Sequence, residues 1–240
     1  MILLHQYVRS TLIERSLIVE AQEEPDMTRH VDELEDLIFT FIFTRSTFDH
    51  LQSLEPGMEV STVLETNIFN EFENINDVHL GILVNDEGAA SVDAAYLCDV
   101  QDRSTSNLAL ALDLPRNYPE TEGFQDWLSA ELADALSHEI QHSCDTTEIL
   151  SSEDCVEGEA KWESIENIER YYGCDAEVRG HVAGILGRSR RTGQDPESLL
   201  QYDIETIVDK ATAKGYTEQE LKPILQNIYN KWLDRLESLL

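Results

Sequence analysis

Two histidines four residues apart, with a glutamate directly after the first, stand in the segment Ser137-His-Glu-Ile-Gln-His-Ser143 of this 240-residue sequence. On a helix, residues four apart lie one turn apart on one face, so His138 and His142 could offer two imidazole nitrogens to a single tetrahedral zinc ion. Glu139 falls about 100° round the helix from His138, a poor direction for a ligand but a good one for holding a water and taking its proton. Together the three residues imply hydrolysis by a metal-activated water, with Glu139 as general base. Chance would produce such a pattern in about 3% of chains of this composition. The bland alternative is a pair of surface histidines on a polar helix face.

A catalytic zinc takes three protein ligands and keeps a fourth position open. No histidine follows His142 until His181, which turns the search for the third ligand towards carboxylates. Glu177 is the favoured one, in the first turn of a helix expected to start at Asp175 as N-cap and to run towards Arg188. Glu157 and Glu159 compete with it from an irregular acidic stretch. Cys144, two positions past His142, projects off the ligand face. His181 lies one turn after Glu177 and reads as a catalytic residue, a partner behind the ligands or a donor to a developing oxyanion, against the alternative of a surface histidine. Tyr171 and Tyr172 are alternative donors or packing residues, and Arg179 could orient a substrate or a carboxylate.

The elements that must position these groups read as an α+β chain. Leu128, Leu132, Leu136 and Ile140 recur every fourth position in a helix expected over Thr121 to His142, and this stripe needs an apolar surface, most simply a preceding sheet. Both motif imidazoles then point away from the stripe. Strands are expected over Val78 to Val84, Ala89 to Leu97 and Asn107 to Leu112, the first two as a hairpin across Asn85-Asp-Glu-Gly88. Asn107 to Leu112 would be the sheet edge open to an extended substrate. Residues 33 to 54 carry mixed signals, strand-like at Ile38 to Phe43 and helical at both flanks, and are read as helix. A helix is expected from Glu159 to Tyr172, and from Pro196 onward two or three amphipathic helices, one starting at Thr217.

Leu4, Val8, Leu12, Ile13 and Leu17 give residues 2 to 19 the pattern of an amphipathic helix, followed by an acidic linker around Glu23 to Asp26. The expected division is therefore residues 1–32 as appendage and 33–240 as main domain.

The segment Leu136-Ser-His-Glu-Ile-Gln-His142, preceded by Leu108-Ala-Leu-Ala-Leu-Asp-Leu114 and followed by Asp175-Ala-Glu-Val-Arg-Gly-His-Val182, resembles the zincin metallopeptidases encoded by tailed bacteriophages, over roughly residues 75 to 240. The resemblance implies a zincin-like fold, with a small mixed sheet on the motif helix and a helical C-terminal subdomain. It implies His138, His142 and Glu177 as zinc ligands, Glu139 as base and a protein or peptide as substrate. It also implies a place in the cytoplasm of the infected host cell or in the virion, where the N-terminal helix could support virion or homo-oligomer association. Many zincins carry glutamine or an aromatic residue just after the motif, where this chain has Ser143 and Cys144.

Composition narrows the alternatives. Forty-eight acidic residues face 17 basic ones, a formal charge of −31. A field of that sign repels nucleic acid and anionic membranes, unless the chain acts as an acidic decoy for DNA-binding proteins. No window reaches the roughly 18 to 20 apolar residues of a membrane span, and the N-terminus lacks the pattern of a signal peptide. Four cysteines fit neither a zinc finger nor a disulfide-dense scaffold, so reduced thiols are expected. A non-catalytic, metal-stapled structural component of an assembly remains the main alternative to a protease.

Overall fold

The computed structural model describes residues 27–55, 57–64, 75–86, 88, 90–97, 106–150, 155–156 and 158–240. The amphipathic segment expected over residues 2 to 19 and its acidic linker lie outside them. The described chain is α+β, with seven helices of nine or more residues and one four-stranded mixed sheet.

The ambiguous stretch after residue 33 is helical. It belongs to α1 (Met27–Phe43) and α2 (Arg45–Ser53), separated by Thr44 in an extended conformation. Val31, Leu34, Ile38 and Ile42 recur at helical spacing and are all buried, which is why the β-branched and aromatic run folds as helix. The helix opens six residues ahead of position 33, and Val31 belongs to the same core cluster as the sheet.

The strands are β1 (Glu59–Leu64), β2 (Asp77–Asn85), β3 (Ser91–Leu97) and β4 (Asn107–Pro115), in the order β1-β2-β4-β3. Strand β1 was not expected. The expected hairpin between β2 and β3 does not form, because β4 lies between them, parallel to β2 and antiparallel to β3. Burial explains the order. Val78, Leu80, Ile82 and Val84 of β2 and Leu108, Leu110, Leu112 and Leu114 of β4 are wholly or almost wholly buried, so these two strands take the centre. Strand β3 offers only Val92, Ala94 and Tyr96 to that face, each half-buried, and takes the edge. Asn107 to Leu112 is therefore a central strand, and the substrate edge expected there is not available.

Helix α3 (Phe124–Cys144) lays Leu128, Leu132, Leu136 and Ile140 against the sheet, all fully buried. A second core follows from α4 (Ile165–Gly173), α5 (Asp175–Thr192), α6 (Pro196–Ala213) and α7 (Glu218–Leu239). The helix expected from Glu159 begins only at Ile165, where Ser164 caps it by accepting from the Asn167 N–H at 3.1 Å; Gly158–Trp162 is a 3-10 turn. Helix α5 is preceded by Cys174 as N-cap, with Asp175 as its first residue. Cys174 is joined to Cys155 in a disulfide, so these two thiols are not reduced. Thr217 and Glu220 form a capping box at the start of α7. No described helix is long and apolar enough to cross a membrane.

The two cores meet where α3 packs antiparallel on α5. Glycines at 180, 184 and 187 let the backbones approach closely. A Cβ at Gly187 would lie 2.5 Å from the Ala133 carbonyl oxygen, and one at Gly180 would lie 2.7 Å from His138 Nε2. A backbone carbonyl within a helix has little room to retreat. Gly187→Ala should therefore destabilise the fold by about 1 to 3 kcal/mol, although alanine is the better helix former. Denaturant unfolding of the two proteins measures this, and a variant as stable as the parent would show that the helices can separate without cost.

Candidate metal centre

Helix α3 supplies His138, Glu139 and His142, and the first two turns of α5 supply Glu177 and His181. The antiparallel packing of these helices sets the C-terminal end of α3 beside the N-terminal end of α5. Histidines near a helix C-terminus and carboxylates near an N-terminus both sit where the helix dipole favours them.

The side chains converge. His138 Nε2 and His142 Nε2 are 3.0 Å apart. Glu177 Oε2 lies 3.6 Å from His138 Nε2, and Glu177 Oε1 lies 3.8 Å from His142 Nε2. His181 Nε2 stands 3.6 Å from Glu177 Oε2, and Glu139 Oε1 is 4.0 Å from His138 Nε2. Two groups with ligand atoms close enough to share one ion emerge, His138 with Glu139 and His142, and His138 with Glu177 and His181. All five of these side chains are largely buried.

The charges agree with a cation site. Burial opposes the charge of Glu177, but His138 above all, then His181 and His142, hold its carboxyl down at about 2. Burial likewise opposes protonation of His138, yet Glu177, Glu139 and Asp134 push it up to about 9. Burial and the neighbouring His138 lower His181 well below the usual imidazole range. Two carboxylates among three imidazoles thus call for positive charge. In the metal-free protein a proton on His138 supplies part of it, and a metal ion would take that proton's place.

Outside these five, Asp145 is fully buried and its Oδ2 lies 3.5 Å from His142 Nδ1. Its other oxygen accepts from Arg179 Nε at 2.5 Å and from Gln141 Nε2 at 3.1 Å. Arg179 therefore orients a carboxylate of the protein itself. The second addition is Tyr96 of the edge strand, whose backbone N–H donates to Glu139 Oε2 at 2.6 Å. Asp145 could have been suspected from a carboxylate three positions past His142. Tyr96 acts through its backbone and leaves no side-chain signal.

Two of the rival residues stand apart from the cluster: Glu159 is exposed and pairs with Lys214 at 3.5 Å, and Cys144 is exposed. Glu157 lies outside the described residues. Tyr171 and Tyr172 pack edge to face, with Tyr172 5.5 Å from the His181 ring. Comparison with known proteins finds no matching family model, no matching curated protein and no matching solved structure.

Two measurements follow from the geometry. Because His138 holds its proton up to about 9, metal affinity should rise by up to about tenfold per pH unit below that point and level off above it. Uptake near pH 7 should release about one proton. Calorimetry in two buffers of different ionisation enthalpy counts it, and a count of zero would mean that His138 is already neutral. Asp145→Asn should weaken metal binding by about 10- to 100-fold through loss of the charge behind His142. Chelator competition reads the change, and parental affinity would remove Asp145 from the site.

Proposed function

We propose that the chain is a zinc-dependent peptidase of the zincin type, with His138, His142 and Glu177 as metal ligands and Glu139 as general base. The observation that carries this reading is the placement of Glu139. A site that only staples helices together needs ligands and no base, yet this carboxylate is held beside His138 by a backbone N–H of the edge strand.

The residues fit a metal. Glu177 Oε2 and His181 Nε2 are both buried without a hydrogen-bond partner and face each other across the cluster, a costly arrangement unless a cation completes it. Imidazole nitrogens with one carboxylate are the donor set that suits zinc. Bound there, zinc would polarise a substrate carbonyl and make a water acidic enough to attack it near neutral pH.

The chain's own residues supply the rest. With Oε2 engaged by the Tyr96 N–H, Glu139 has Oε1 turned towards His138 and available to accept the proton of the attacking water, then to pass it to the leaving nitrogen. Asp145 Oδ2 stands 3.5 Å from His142 Nδ1, a carboxylate placed to favour the proton on Nδ1 and so to leave Nε2 for the metal. For an extended peptide, β3 is the sheet edge beside Glu139 among the described residues, in place of the strand expected from sequence.

A second reading, a non-catalytic zincin-like part of a virion or another assembly, is favoured by one observation. A fourth donor, the His181 nitrogen, stands beside His138 and Glu177 and would help to fill the coordination sphere.

Glu139→Gln keeps the size of the side chain and removes only the base. It should bind metal as the parent does and lose about 10²- to 10⁴-fold in peptide hydrolysis. The comparison is turnover of a broad peptide library at matched metal content. Equal turnover in both proteins would exclude Glu139 as base, and none in either would favour the structural reading.

A further inference from the structure

The ring of His181 is fixed from below. It stacks on Trp232 with centroids 4.4 Å apart and planes 21° from parallel, and it meets the His138 ring edge to face at 4.6 Å. Trp232 is itself fully buried and anchored, donating from Nε1 to the Tyr172 carbonyl at 2.8 Å. With its ring so held, His181 cannot easily turn its Nε2 elsewhere. That nitrogen is buried and without a hydrogen-bond partner, and it lies 3.6 Å from Glu177 Oε2.

A group that only donates to a substrate oxygen would need a hydrogen on the nitrogen facing the open side of the site. His181 Nε2 instead faces the Glu177 carboxylate that the proposed metal would use. We infer that His181 is a fourth protein ligand, making the centre His138, His142, His181 and Glu177. This inference rests on the metal-site reading above. Its consequence is a resting centre filled by protein donors, to which an outside ligand gains access only when one of them gives way.

The test uses the full chain loaded with cobalt(II) in place of zinc, read by visible absorption and by chelator competition. His181→Phe keeps a ring over Trp232 and removes the nitrogen; His181→Ala leaves space for added imidazole. The parent spectrum should not respond to azide. His181→Phe should bind cobalt about tenfold or more weaker, show a shifted spectrum and respond to azide, and imidazole should return the His181→Ala spectrum to the parent's. Azide sensitivity in the parent, or a His181→Phe spectrum identical to it, would overturn the assignment while leaving the metal site intact. Parental affinity in His138→Ala and His142→Ala as well would instead bring down the metal-site reading, and this inference with it.

Discussion

A helix that must pass within backbone contact of its neighbour can carry no side chain on the touching face, and α5 meets this condition with glycine at 180, 184 and 187. Their spacing of four and then three residues keeps all of them on one stripe. Opposite them α3 presents Ala133, Asp134, Ser137 and His138. The close approach brings the two halves of the candidate site within ligand distance. A bulkier residue at 180 would strike the His138 imidazole itself, so packing and chemistry share one constraint.

An interface of glycine against small and polar residues buries little apolar surface, so other forces must hold α5 in register. On its far side Val178, Val182 and Ile185 sink into the C-terminal core. Towards its C-terminal end, Arg188 pairs with Asp134 of α3 at 3.2 Å and with Asp203 of α6, while Arg191 reaches Glu35 of α1 at 2.8 Å and Ser129 of α3. Burial pushes Asp134 up to about 7 and raises Glu35 as well, with the arginines opposing the shift. The Arg188 pairs are buried; pairs of that kind add little net stability, but losing one partner strands a charge and costs about 3 to 5 kcal/mol. They specify where α5 sits more than how tightly it is held. At the opposite end of α5, the Cys155–Cys174 disulfide and the bond from Lys231 Nζ to the Gly173 carbonyl at 2.5 Å fix the chain just ahead of Glu177.

What could be read from sequence follows from periodicity. The leucine stripe of α3 predicts which way His138 and His142 point, and the position of Glu177 near a helix start predicts a carboxylate close to a C-terminal histidine pair. The glycine spacing on α5 was equally visible and would have predicted the close helix contact. Sheet order was not legible, because β2 and β4 alternate as an exposed-edge pair would, and only the fully buried state of both inner faces shows them to be central. The disulfide was beyond reach for another reason: four cysteines permit three complete pairings, and spacing alone does not choose among them. Asp145 was visible as a carboxylate three positions past His142, but the partner that orients it, Arg179, lies 34 residues away.

The edge strand and the proposed base form one unit. In an antiparallel pair the N–H and C=O of a residue point to the same side, and alternate residues face alternate sides. Since the Tyr96 N–H reaches out to Glu139, Val92 and Ala94, of the same parity, turn their backbone groups to the same side, away from β4. A peptide paired with them would run towards the point where Glu139 is fixed, so its register is measured from the base itself. The anchor is a main-chain amide, which every non-proline residue at position 96 supplies. The alignment of base and substrate in the proposed enzyme therefore depends on the position of β3 beside α3 and not on the identity of the side chain at 96.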